Sequence, residues 1–152
     1  DRHPASDKYP FGQLVTKKAE AGGGWLSWVV AVDDVSKIES KLDRKAVDGH
    51  RKKPDGKDLH WKQIGVLDTL EEASNPFFIQ WSSDFHPSGE RDSDIDVSSI
   101  EIYGDSNLLQ AKYGLNGLLS KDEPTFTWLD PALDSGIEAV VFKTSNGDVR
   151  ID

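Results

Sequence analysis

The sequence contains no cysteine and no methionine in 152 residues. Without cysteine there is no disulfide framework, no iron–sulfur cluster and no thiolate zinc site. That absence suits a reducing compartment, so a cytoplasmic location is the expectation. Positive charge is also scarce. Lys and Arg number 18 against 27 Asp and Glu, for a net charge of −9. Nucleic acids and anionic membrane surfaces both demand clustered positive charge, so neither is an expected partner. The stretch 50–57 is a local basic exception. No apolar run approaches the roughly 20 residues of a membrane span, and no signal peptide is visible. Methionine is missing even at position 1, and the opening "DRHPASDKYPFG" reads as a loop, so a further segment upstream is expected.

What remains is enough for one ordinary domain with a real core. Residues 1–24, rich in Pro, Gly, Lys and Ala, read as an irregular entry arm that packs by Tyr9, Phe11 and Leu14. "WLSWVVAV" (25–32) is β-branched and aromatic and predicts a strand. In "DDVSKIESKL", Asp34 is a candidate N-cap and Ser36 with Glu39 has capping-box spacing. Val35, Ile38 and Leu42 mark one helical face. Two strands, "VDGHRKK" and "KDLHWKQIGV", flank the turn Pro54-Asp55-Gly56, and "FFIQWSS" (77–83) is a further strand. An acidic loop follows. "VSSIEIY" alternates as a strand, and "GDSNLLQAKYGL" predicts a helix opened by Asp105 or Ser106 and closed near Gly114. "TFTWLD", "IEAVVFKT" and "DVRI" are strands, the last two joined at Asn146-Gly147.

Each half thus reads strand, helix, strand, strand, strand. Placing Ser27 on Ser98, an offset of 98 − 27 = 71, aligns Val29 with Ile100, Ala31 with Ile102, Asp34 with Asp105 and Ile38 with Leu109. The repeat is one of pattern rather than identity. The expected organisation is an entry arm over 1–24, a first βαβββ module over 25–88, a linker over 89–96 and a second module over 97–152. The fold class is α+β, two tandem βαβββ modules with curved mixed sheets and helices on the outer face.

That plan resembles the glyoxalase/vicinal oxygen chelate superfamily. "WVVAVDDVSKIESKL" is similar to its opening strand, Asp-Asp and helix, and "AKYGL" to the Leu-Gly turn that ends such helices. More narrowly, "KYPFG", "GWLSWVVAVDD", "GHRKKPDGKDLHWKQ", "NPFFIQWSSDFHP" and "VSSIEIYGD" resemble bacterial glyoxalase-like domain proteins. These words span most of residues 9–105. The resemblance implies another βαβββ unit upstream, carrying a His on its first strand and a Glu on its last.

It also implies a divalent metal held by strand side chains, with open positions for substrate oxygens. Such a Lewis acid would stabilise an enolate or activate oxygen. The ligand position six residues before the Asp-Asp word is Ser27, and its counterpart is Ser98. The closing strands offer Gln80, and Asp148 with Arg150. These are not the family's usual ligands, so no metal ligand and no catalytic residue is assigned in this chain. A divalent metal belongs, on this reading, to the longer protein.

His3, His50, His60 and His86 show no HxH or HExxH spacing and read as loop or sheet-edge residues. His60 is the best functional candidate. Strand periodicity puts Leu59 and Trp61 on one face and His60 and Lys62 on the other. If the apolar face meets the helices, His60 looks into the concave face. Arg51, inside a strand, is the best candidate for an anionic group, and Arg51, Lys52, Lys53 and Lys57 otherwise read as a solvated hairpin tip. The five tryptophans read mainly as core. "GGG" at 22–24 precedes a strand and is no phosphate loop.

The residues assigned to substrate binding are Arg51, His60, Trp61, Gln80 and Trp81, and the expected ligand is small and polar or anionic. The full-length protein would be a metal-dependent lyase, isomerase or dioxygenase with this chain forming part of the pocket. The alternative is a non-catalytic binding or scaffold protein of the same fold. A second copy of the chain or the upstream module is the expected protein partner.

Overall fold

Pro10 presets the backbone for a first helical turn, and Lys17 and Lys18 meet the negative end of the helix dipole. The result is helix α1, Pro10–Glu20, in a computed structural model that describes residues 8–82, 94–119 and 124–152. The arm is therefore helical rather than irregular. Pro10 opens the helix and Gly22–Gly24 follow its end, so residues that suggested a loop bound it instead. Gly22, Gly23 and Gly24 all take positive φ and release the chain from the helix. His3, His86 and most of the expected linker 89–96 lie outside the described residues.

The first sheet contains β1 (Val29–Ala31), β2 (Val47–Lys52), β3 (Asp58–Ile64) and β4 (Phe77–Trp81) in the order β1-β4-β3-β2. Strand β1 is parallel to β4, and the other neighbours are antiparallel. β1 is shorter than the apolar run 25–32. The Trp28 carbonyl still accepts from the Phe77 N–H just before β1, while the Trp25 indole N–H donates to the Ile151 carbonyl and that of Trp28 to the Ser74 carbonyl. Helix α2 (Ser36–Leu42) follows β1, and α3 (Asp68–Glu71) is a single turn before β4. Asp34 does bond the start of α2, accepting from the Ser36 N–H at 3.0 Å. The capping box does not form. Glu39 instead accepts from the Ala46 N–H and from Lys45, because the chain turns back after a left-handed Asp43.

The second sheet contains β5 (Asp96–Tyr103), β6 (Thr125–Leu129), β7 (Gly136–Thr144) and β8 (Gly147–Ile151) in the order β6-β5-β7-β8. Helix α4 (Ser106–Tyr113) crosses from β5 to the parallel β6. Asp105 caps it by accepting from the Asn107 and Leu108 N–H groups, and Gly114 closes it in the left-handed region. The last hairpin forms one residue earlier than Asn146-Gly147 suggests: Thr144 pairs with Gly147, so Ser145 and Asn146 make the turn.

Both halves are α+β with a four-stranded mixed sheet, but they part after the helix. In the first, the chain goes to the far edge and returns; in the second, it comes back beside its own first strand. The internal repeat also slips. Trp28 and Val30 face the core in β1, while Val29 is 48% exposed. In β5 the core residue is Ile102, with Ile100 packed against it. The strands therefore correspond at an offset of 72 (102 − 30), whereas Asp34/Asp105 and Ile38/Leu109 keep 71. A one-residue slip exchanges the faces of a strand, so burial and not letter similarity decides the register.

One core joins the halves. Trp28, Val30, Ile64 and Phe78 from the first sheet meet Ile38 of α2, Leu109 and Tyr113 of α4, and Ile102 of β5. The Trp28 ring lies 5.0 Å from Phe126 and 6.4 Å from Trp128. Between the helices sits a buried charge. Asp68, 3% exposed, accepts from Arg44 at 2.6 Å and from the Tyr113 hydroxyl at 3.3 Å, with Lys112 at 4.0 Å. Burial alone would raise this carboxyl. The Arg44 hydrogen bond and charge, the Lys112 charge and the Tyr113 hydroxyl outweigh it and hold Asp68 below its ordinary value. Burial, and then the Asp68 charge, push the Tyr113 phenol upward, so it stays protonated and donates. No described helix is long and apolar enough to cross a membrane.

Because the Asp68 pKa is depressed, its contribution is complete above the ordinary carboxylate range and is lost as pH falls through the folded value. Asp68→Ala leaves the buried Tyr113 hydroxyl without its acceptor and the half-exposed Arg44 without its partner, and should cost about 1–3 kcal/mol in urea denaturation at pH 7. Repeated below pH 3, the same measurement should show a smaller difference between variant and parent.

Candidate functional site

The register of the first sheet sorts its side chains onto two faces. Val30, Ile64 and Phe78 share one face, and α2 packs there through Val35 and Ile38. Alternation then places His60 and Lys62 of β3, Gln80 of β4 and Asp48 and His50 of β2 on this helix-bearing face. Arg51, Leu59, Trp61, Gln63, Ile79, Trp81, Val29 and Ala31 occupy the other face, which neither α2 nor α4 covers.

The sequence-assigned residues are divided by this arrangement. Arg51, Trp61 and Trp81 stand together on the face turned away from α2 and α4. Trp61 and Trp81 are directly paired, with ring centroids 5.6 Å apart. Arg51 is opposite Leu59, one step further along the same face. His60 and Gln80 point to the helix side. Leu59 and Trp61, expected to meet the helices, face away from α2 and α4, because Ile64, Val30 and Phe78 supply the surface that α2 covers. Gln80 is also committed structurally, since its Oε1 accepts from the Val35 N–H at 2.9 Å at the start of α2.

The Trp61 indole is fixed in two ways. Its N–H donates to Gln63 Oε1 at 2.8 Å, and its ring lies over Gly49, the residue across the ladder. A Cβ on Gly49 would sit 2.2 Å from the indole, so only glycine admits the ring there. Beyond Gln63 this face runs into a cleft of about 350 Å³ against the start of α1. Tyr9 and Phe11 of the arm form one wall, and Val47, Val66 and Leu67 line the other. That volume and apolar lining are in the range of small-molecule sites.

The positions at which the resemblance would place a divalent metal do not suit one. Ser27 and Ser98 offer hydroxyls that donate to the Trp28 and Val141 carbonyls at 3.5 and 3.2 Å. The Gln80 oxygen caps α2, and Arg150 is paired with Glu101 at 2.8 Å. A neutral hydroxyl is a poor ligand for the relevant cations, and these side chains do not present a converging donor set. The hairpin, by contrast, collects three donors that residue spacing alone did not link. His50 and His60 are directly opposite each other, and Asp58 lies two residues from His60 on the same face. The signal was present in the turn: a hairpin centred on Asp55 pairs 50 with 60.

A family model described as "Glyoxalase-like domain" matches residues 1–113. The matched span takes in α1, the whole first sheet, β5 and α4. No curated protein and no solved structure matches the chain.

Gly49→Ala should displace the Trp61 indole and break its bond to Gln63, at about 1–3 kcal/mol. The tryptophan fluorescence and near-ultraviolet circular dichroism should change while the far-ultraviolet spectrum is kept. Gln80→Leu should lower stability by about 1 kcal/mol through the lost cap of α2, leaving the indole signals as they are.

Proposed function

The chain belongs to the glyoxalase-like domain family, and from that membership we propose that it supplies the wall of a small-molecule site rather than its metal centre. The observation that carries this is the face turned away from α2 and α4, where the Trp61–Trp81 pair and Arg51 stand together and Trp61 bonds the Gln63 amide, itself a wall of an apolar cleft. Paired indoles receive a flat or apolar body. Arg51 offers a fork of donors to a carboxylate or phosphate. The ligand class that follows is a small molecule with an apolar ring or chain and one anionic group.

In a longer protein this wall serves a metal-dependent lyase, isomerase or dioxygenase whose ligands come from another unit. The second reading is a non-catalytic binding protein. The serine hydroxyls at positions 27 and 98 favour it for this chain taken alone, since both already bond backbone carbonyls.

The test is a ligand-observed NMR screen of the 152-residue chain with aromatic carboxylates and aryl phosphates. Arg51→Ala and Trp61→Ala should each weaken the bound compounds about tenfold or more, and His60→Ala should leave them unchanged. Equal binding by all variants, or binding by none of the compounds, would remove the wall assignment.

A further inference from the structure

The β2–β3 hairpin carries a second chemistry on its opposite face. His50 and His60 are cross-strand partners with ring centroids 4.6 Å apart and planes tilted by 30°. Asp58 Oδ1 lies 3.1 Å from His50 Nε2. One donor atom from each of the three residues falls within 4.8 Å of the others. All three residues are exposed, so a cation can reach them without any opening of the fold.

We propose that His50, Asp58 and His60 form a binding site for a divalent first-row transition cation of the zinc class. Tetrahedral zinc with imidazole and carboxylate bonds of about 2.0–2.2 Å needs donors roughly 3.4 Å apart. Side-chain rotation on a fixed ladder closes the difference from the observed spacing. The donor set decides the class. Two imidazoles and one carboxylate suit zinc, nickel or copper(II), whereas magnesium and calcium prefer oxygen shells. Three protein ligands leave positions for water, so this is an open site and not a closed structural one.

The backbone supports the geometry. Pro54-Asp55-Gly56 forms the turn, with the Gly56 N–H donating to the Lys53 carbonyl and Asp55 accepting from the Lys57 N–H. These bonds hold the strands in the register that sets His50 against His60. Because the donors lie on the helix-bearing face, the site is separate from the Trp61–Trp81 wall and stands whether or not that wall binds a ligand.

The experiment is calorimetric titration of the 152-residue chain with zinc chloride, with magnesium chloride in parallel. One zinc per chain is expected, with about tenfold or greater weakening in both His50→Ala and His60→Ala and no magnesium uptake. In the unaltered chain, the His50 and His60 imidazole proton resonances should shift together up to one equivalent of zinc. Zinc binding that survives the double histidine replacement would overturn the proposal. So would unshifted imidazole resonances, magnesium uptake matching zinc, or no zinc uptake at about 1 mM.

Discussion

The Asp68 carboxylate is the constraint on which the helix layer depends. A buried ion must be paired, and here its partners come from different parts of the chain. Arg44 follows α2, Asp68 opens α3, and Lys112 and Tyr113 end α4. Satisfying one charge therefore brings the C-terminal ends of α2 and α4 and the start of α3 to a single point. The Tyr113 ring then meets Phe78 at 5.2 Å, which seats α4 against the first sheet as well. The two halves share a core because their helices share this ion.

Once α2 and α4 are gathered there, the faces of the first sheet lose their equivalence. Val30, Ile64 and Phe78 must turn toward the helices, and strand alternation does the rest. Trp61, Trp81 and Arg51 are sent to one side, His50, Asp58 and His60 to the other. Residues adjacent in sequence thus enter different chemical environments. The proposed ligand wall uses the aromatic face, and the proposed cation site uses the imidazole–carboxylate face. His60 and Trp61 are neighbours in the chain and belong to neither the same surface nor the same chemistry.

Much of this was legible in the residues. Asp105 and Gly114 announced the ends of α4, and Pro54-Asp55-Gly56 announced the hairpin, because capping and turn chemistry are local. The α+β class followed from strand and helix periods. The facing of β3 was not legible. Both of its faces carry bulky side chains, Leu59 and Trp61 on one and His60 and Ile64 on the other, so hydrophobicity alone did not identify the packed side. Helix α1 was missed for a different reason. Pro10 and Gly22–Gly24 bound a helix as well as they populate a loop, and α1 buries no residue fully. Asp68 looked like one acid among 27, since its partners Arg44 and Lys112–Tyr113 are far off in sequence.

For the same reason, residue spacing does not link the hairpin donors. Metal motifs on helices recur at three or four residues because one element presents them all. On paired strands the ligand spacing is set by the distance to the turn, so it varies with every hairpin. What stays constant is the sum of paired positions: 50 + 60, 52 + 58 and 48 + 62 all equal 110 here. Reading a hairpin by that sum turns a local turn signal into a statement about side chains across the ladder. It also ties the two faces together, since the register that opposes His50 to His60 opposes Gly49 to Trp61. A shift of one residue would clash the indole with a side chain and separate the imidazoles at once. The glycine under Trp61 therefore helps keep the register on which the other face relies.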